Sequence, residues 1–221
     1  MISQKLVFPV HLIGVGRIGS DLALPLKKFG IPLLHLWDRD VVEARNIPVQ
    51  QIYRPSDVGK PKVQAAYDIL TEQYGFPRDS IIPHEEWVTA STPLDGIVIS
   101  GVDSMESRQA IWQSICRQPH NVQLYLDGRL GKENSELYVV RPVLLQARRE
   151  YEGELCTDDQ VAPFHCSDEE DPYPPTVITT WVLSSLRLFI RKNIRPFRRW
   201  SERTNDSPSF SYTWDGGHIE C

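Results

Sequence analysis

The sequence predicts an α/β fold, a Rossmann-like doubly wound and mainly parallel sheet with helices on both faces and a long crossover loop before the last helix. Three observations predict it. Apolar runs of strand length alternate with segments whose apolar residues recur at helical spacing. A glycine turn, Gly14-x-Gly16-x-x-Gly19, joins the first such run to the first helical segment. The polar residues that could do chemistry fall at the carboxyl ends of the predicted strands, where an open parallel sheet places its ligand.

The elements follow in order. Leu6 to Val15 reads as a buried strand and Ile18 to Phe29 as a helix; Leu33 to Trp37 is a second strand. Lys60 to Tyr74 has helical spacing at Val63, Ala66, Tyr67 and Leu70, and Gly75-Phe76-Pro77 stops it. Ser80 to Val88 and Gly96 to Ser100 read as strands, and Ser104 to Arg117 as a helix with Met105, Ile111, Trp112 and Ile115 inward. Val122 to Leu126 and Glu136 to Pro142 are further strands, and Thr176 to Lys192 is a long, largely buried helix. Residues 146–175 between them are polar, acidic and proline-rich, which predicts the crossover loop. The main folded unit is therefore expected to span 1–192, with 193–221 as an extension. Regular structure is not expected from Asn193 onward, except for a terminal hairpin over Phe210 to Cys221 turning at Asp215-Gly216-Gly217.

Composition sets limits on function. At 221 residues, 41% hydrophobic and 24% charged, the chain can bury one sizeable core. A net charge of −5 disfavours broad attraction to nucleic acid or an anionic membrane. The basic run Arg187 to Arg203 is read as a solvated helix end followed by a linker. With no long apolar run and no cleavable leader, a cytoplasmic location is expected. The four cysteines, Cys116, Cys156, Cys166 and Cys221, contain no C-x-x-C pair, so no structural zinc site is expected.

The glycine turn sits at a strand-to-helix junction, as a phosphate-binding turn must. Gly14 permits the tight turn, Gly16 lets the backbone approach a phosphate, and Gly19 brings helix close to strand, while the helix N-terminus offers amide donors. Asp38, at the end of the second strand, is placed to accept from ribose hydroxyls. The same turn serves NAD, FAD and ATP, so by itself it names no ligand.

The continuation is more specific. Asp38-Arg39-Asp40-Val41, then Asn46 and Gln50, then Asp57-Val58-Gly59-Lys60-Pro61-Lys62, then Ser100-Gly101-Val102-Asp103-Ser104 running to Arg108, resemble the blocks of the ThiF, MoeB, HesA and ubiquitin-activating-enzyme family of adenylyltransferases. In that family they read D-x-D-x-V, S-N-L-x-R-Q, D-V-G-x-x-K and D-x-x-D-N-x-x-x-R, and the resemblance covers roughly residues 8 to 192. It implies attack of a carboxylate on the α-phosphate of ATP, giving an acyl-adenylate and pyrophosphate. Gly14, Gly16, Gly19 and Asp38 would cradle phosphates and ribose, with Asp40, Asn46 and Gln50 completing the contacts. Lys62 would neutralise charge as the bond to pyrophosphate breaks, and Asp103 would hold Mg2+. The implied substrate is the C-terminal carboxylate of a ubiquitin-like or sulfur-carrier protein ending in glycine, handled by a homodimer that needs neither nucleic acid nor membrane. The chain is too short for a separate ubiquitin-fold or rhodanese domain and is most similar to compact bacterial or mobile-element members.

The departures carry information too. Val49 stands where the family has an arginine, and Arg17, Arg45 and Arg54 are the nearby candidates to replace its charge. Some relatives pass the acyl group to a cysteine; Cys166, beside His165, is the first candidate and Cys156 the second, whereas Cys116 reads as a core residue and Cys221 as a flexible end. Cys166 as acyl acceptor and Cys166 as inert thiol both stay open. So do plainer readings of the site: Asp38 and Asp40 as solvated acids, Lys60 and Lys62 as surface cations, Asp103 as a helix cap. A non-catalytic scaffold and an NAD-dependent oxidoreductase are the alternative functions.

Overall fold

In a computed structural model, residues 6–131, 134–155, 175–192, 197–203, 211–214 and 217–220 are described. Seven strands form one sheet in the order β3-β2-β1-β4-β5-β6-β7. Strands β1 (Val10–Ile13), β2 (Leu34–Trp37), β3 (Ile81–His84), β4 (Gly96–Ser100) and β5 (Val122–Leu130) run parallel. Strands β6 (Asn134–Val140) and β7 (Phe197–Arg203) extend the sheet antiparallel. The order reverses between β1 and β4, and at such a switch point the strand ends open a crevice.

Helices α1 (Arg17–Phe29), α2 (Lys62–Asp68) and α5 (Thr176–Ile190) cover one face. Leu22, Leu26, Val63, Ala66, Trp181 and Val182 pack there on Leu12, Leu36, Ile99 and Leu126. Helices α3 (Met105–Arg117) and α4 (Leu145–Glu152) cover the other, with Ile111, Trp112, Ala147 and Tyr151 on Ile13, Val98, Tyr125 and Tyr138. The alternation of the strand residues between the two clusters is the period-2 pleat of a sheet buried on both sides.

The predicted Rossmann-like sheet is what is found, with three local corrections. The expected crossover 146–175 begins as helix α4, which buries Ala147 and Tyr151, four residues apart on one helix face; residues 156–174 lie outside the described set. The linker expected after Asn193 contains β7, paired residue for residue with β6 from Val140↔Phe197 to Asn134↔Arg203. Strand β5 runs four residues beyond Leu126, carrying Asp127 into the core. Near the C-terminus β8 (Ser211–Trp214) and β9 (Gly217–Glu220) pair antiparallel, from Ser211↔Glu220 to Trp214↔Gly217.

Candidate functional site

A cavity of about 560 Å³ opens at the carboxyl ends of β1, β2 and β4. Gly14, Gly16, Arg17, Asp38, Asp40, Asn46, Gln50, Lys62 and Asp103 all line it. Among the described residues weighed for binding or chemistry, Gly19, Arg54, Lys60 and Arg108 do not line it. A Cβ on Gly19 would meet the Gly14 carbonyl oxygen at 1.9 Å, so its glycine serves the close approach of α1 to the turn. Cys166 and Cys156 lie outside the described residues. Cys116 is half-buried on α3 beside the second core cluster, and burial pushes its thiol up to about 11, which keeps it protonated and unreactive.

The glycine turn places backbone at a helix N-terminus, an arrangement that suits an anion. Gly14 has φ +84°, a left-handed backbone that favours glycine. Gly16 caps α1 without a side-chain cap bond, and no acid occupies the first turn, so the positive end of the helix faces the cavity. A Cβ at Gly16 would touch nothing. Two side chains fix the turn from outside. Asp38 Oδ2 accepts from the Val15 amide at 2.8 Å, and the buried Tyr53 hydroxyl donates to the Val15 carbonyl at 2.7 Å. Asp38 Oδ1 accepts from the Asp40 amide at 2.8 Å. Burial pushes the Asp38 carboxyl above its ordinary value, opposed by Lys62 and these two amides. Asp38 is thus a structural organiser of the turn as well as part of the cavity wall, not a solvated loop acid.

The second and third blocks reach the cavity through backbone pairing. The Lys62 amide donates to the Asp40 carbonyl and the Val42 amide to the Lys60 carbonyl, both at 2.8 Å. This clamps the residues before α2 against the segment after β2 and brings Lys62 Nζ to 3.1 Å from Asp40 Oδ2. Lys60 pairs instead with Asp57 at 2.9 Å and points away. Asn46 Oδ1 caps its own short turn by accepting from the Glu43 amide. Gln50 is buried, and among the described residues its Oε1 has no hydrogen-bond partner, an acceptor that a ligand donor in the cavity would satisfy.

The fourth block follows β4. Ser104 is the cap of α3, its Oγ accepting from the Ser107 amide at 3.2 Å, so Asp103 has no capping duty and stays exposed at the cavity wall. Arg108 does not face the cavity. It is buried against Asp127 and donates to the Val102 and Gly128 carbonyls, which holds the Asp103 segment from behind. Of the three arginines near Val49, Arg17 and Arg45 line the cavity and Arg54 does not.

Sequence reasoning overlooked the rest of the wall. Glu86, Trp87, Val88, Thr89 and Ala90, in the loop after β3, line the cavity, as do Glu106, Ser107 and Ala110 of α3. The signal was present: loops at the carboxyl ends of parallel strands border the ligand crevice, and β3 is one of those strands. The described residues contain no cluster of three or more His, Cys, Asp or Glu able to hold a metal, and no helix long and apolar enough to cross a membrane.

Comparison with known proteins agrees with this architecture. The chain is 26% identical over 113 residues to the NEDD8-activating enzyme E1 catalytic subunit of Saccharomyces cerevisiae, covering 49% of this chain and 37% of that one. It is 32% identical over 120 residues to ubiquitin-like modifier-activating enzyme 5 of Rattus norvegicus, covering 47% and 29%. The chain therefore matches well under half the length of these curated relatives. The crystal structure of E. coli MccB with AMPCPP and MccA shares the fold, with a TM-score of 0.69 at 16% identity over 95% of this chain and 64% of that one. The ThiF family profile matches residues 6–166, and the chain belongs to the ThiF family.

Proposed function

We propose that this chain is an ATP-dependent adenylyltransferase that activates the C-terminal carboxylate of a ubiquitin-like or sulfur-carrier protein ending in glycine, acting as a homodimer. The observation that carries the reading is the convergence of four separate sequence blocks on one cavity, with an uncapped helix N-terminus, a ribose-side carboxylate and a lysine around it. In this reading the α1 amides and Gly16 hold phosphate oxygens, and Asp38 accepts from the ribose. Lys62 leaves Asp40 to meet the charge that grows on the departing pyrophosphate. A carboxylate attacking phosphorus needs no general base, so the work of the cavity is orientation and charge stabilisation.

One exposed carboxylate, Asp103, fits Mg2+, which takes one or two protein carboxylates and otherwise keeps waters and nucleotide oxygens. Bound there, the ion would supply charge neutralisation of the phosphates. Arg17 and Arg45 take the place of the arginine that Val49 lacks. Transfer to Cys166 would follow adenylation as a separate step. The test is ATP–pyrophosphate exchange with candidate carriers ending in Gly-Gly. Carrier-dependent exchange is expected; ATP binding without exchange against any carrier would replace this reading with a scaffold.

A further inference from the structure

The cavity has two chemically different ends. Gly14, Gly16 and Lys62 line the side suited to phosphates, whereas Trp87 and Val88, in the loop after β3, line the side beyond β2 in the sheet order β3-β2-β1. Asp38 lies between them, at the end of β2. A nucleotide laid with its phosphates on the glycine turn and its ribose at Asp38 therefore sends its base toward the loop after β3. That loop, residues 85–95, contains neither helix nor strand and crosses directly to β4.

Trp87 stands in this loop and lines the cavity with 60% of its surface exposed. An indole is costly to leave in water, and few of the described residues are as large and as exposed. It is also held. The Arg39 guanidinium lies 3.8 Å from the centre of the ring, a cation–π contact between the loop and the residue next to Asp38. Trp37, the other indole at this end, is buried and stacked on His84 at 3.7 Å, so it serves as wall.

We propose that Trp87 is the specificity-determining residue for the nucleoside: its ring stacks on the base, and Arg39 positions it. This rests on the cavity being the ATP site. The contact would discriminate a nucleotide from a bare polyphosphate, and it links base recognition to the ribose carboxylate through the adjacent Arg39. A purine, with the larger π surface, gains more from the ring than a pyrimidine.

The test is calorimetric titration of ATP and of inorganic tripolyphosphate into the full chain and its Trp87→Ala, Trp87→Phe and Arg39→Ala variants, at one salt concentration. Trp87→Ala is expected to weaken ATP by about 5- to 150-fold, the range found when a stacking aromatic is removed, and tripolyphosphate by less than about 2-fold. Trp87→Phe keeps most of the ATP affinity. Arg39→Ala lowers the ratio of ATP to tripolyphosphate affinity, a readout that simple loss of a charge does not move. Equal weakening of both ligands by Trp87→Ala, or of neither, overturns the proposal while leaving the ATP site standing. A wild-type chain that binds tripolyphosphate but not ATP, or neither, overturns the ATP reading itself and this inference with it.

Discussion

Lys62 Nζ lies 3.1 Å from Asp40 Oδ2, with the lysine side chain 9% exposed and the aspartate 60% exposed. The cation assigned to the triphosphate is thus parked on a carboxylate that can turn out into water. A pair with one partner so exposed adds little to stability, so Lys62→Met is expected to shift the unfolding free energy by less than about 1 kcal/mol. Loss of a charge aimed at the transition state costs roughly 10²- to 10³-fold, and pyrophosphate exchange should fall by that amount. Urea unfolding and exchange assays on the same variant decide between the roles; a large stability loss with matching activity loss would make Lys62 structural.

The glycines of the turn separate folding from binding. Gly19→Ala drives a Cβ into the Gly14 carbonyl, and backbone cannot yield cheaply, so a loss of about 1–3 kcal/mol or more is expected. Gly16→Ala meets nothing within 4 Å and has an ordinary backbone φ of −79°, so its thermal midpoint should stay near wild type. Gly16 lines the cavity, however, and a methyl there holds a phosphate off the α1 amides. Weaker ATP binding in Gly16→Ala with unchanged melting is the expected result; unchanged binding would move the phosphates away from this turn.

How legible these features are in the sequence depends on whether their partners are local. Strands β1, β2 and β4 stand out because burial on both faces leaves continuous apolar runs, and the glycine turn because its spacing is a local property. Strand β5 is read four residues short because Asp127 and Arg129 look like solvent; Asp127 pairs with Arg129 and also with Arg108, 19 residues upstream, a partner that local sequence does not reveal. Helix α4 escapes notice because its polar sequence buries only Ala147 and Tyr151, too few to show a face. Strand β7 is hidden by its charge: Arg199 finds Glu136 on β6 and Glu154 beyond α4, and those contacts exist only once the sheet has formed. The four binding blocks are legible as a set from family resemblance, whereas the Trp87 loop has no motif and is placed by topology alone.

Three histidines lie side by side across β1, β2 and β3. His11 stacks on His35 at 4.4 Å, and His35 Nδ1 is 2.9 Å from His84 Nε2. Asp95 bonds His11 at 3.0 Å, the Trp37 indole donates to His11 Nδ1, and Glu86 lies 4.0 Å from His84. Burial lowers all three, His35 to about 4, with the neighbouring rings adding to the effect there. A histidine lowered in the fold binds its proton more readily unfolded. Its stability contribution is complete above pH ~6.5 and drains as pH falls toward about 4. Urea midpoints should therefore drop between pH 7 and pH 5, and His35→Gln should flatten that drop. Asp38, raised by burial, acts in the opposite direction, so the difference between the two proteins is the informative quantity. Parallel pH curves would remove the histidines from the account.

Asp127 is fully buried and saturated with donors: Arg108 Nε at 3.1 Å, Arg129 Nε at 2.8 Å, the Ser100 hydroxyl at 2.6 Å and the Tyr151 hydroxyl at 2.9 Å. Burial alone would raise this carboxyl, but Arg108 and Arg129 together hold it below its ordinary value. Asp127→Asn keeps the shape and strands two guanidinium groups in the core, which costs about 3–5 kcal/mol. The damage should also reach the cavity. Arg108 grips the Val102 carbonyl, and Val102 precedes Asp103, so a loosened Arg108 frees the segment that carries the carboxylate. At a urea-free temperature where Asp127→Asn remains folded, exchange should need more Mg2+ for half-maximal rate than the wild type does. Arg129→Met removes one partner of Asp127 but leaves Arg108 in place, and its Mg2+ requirement should stay unchanged. If both variants shift the Mg2+ requirement alike, general softening of the core explains the effect and the line from Asp127 through Arg108 to Asp103 is wrong.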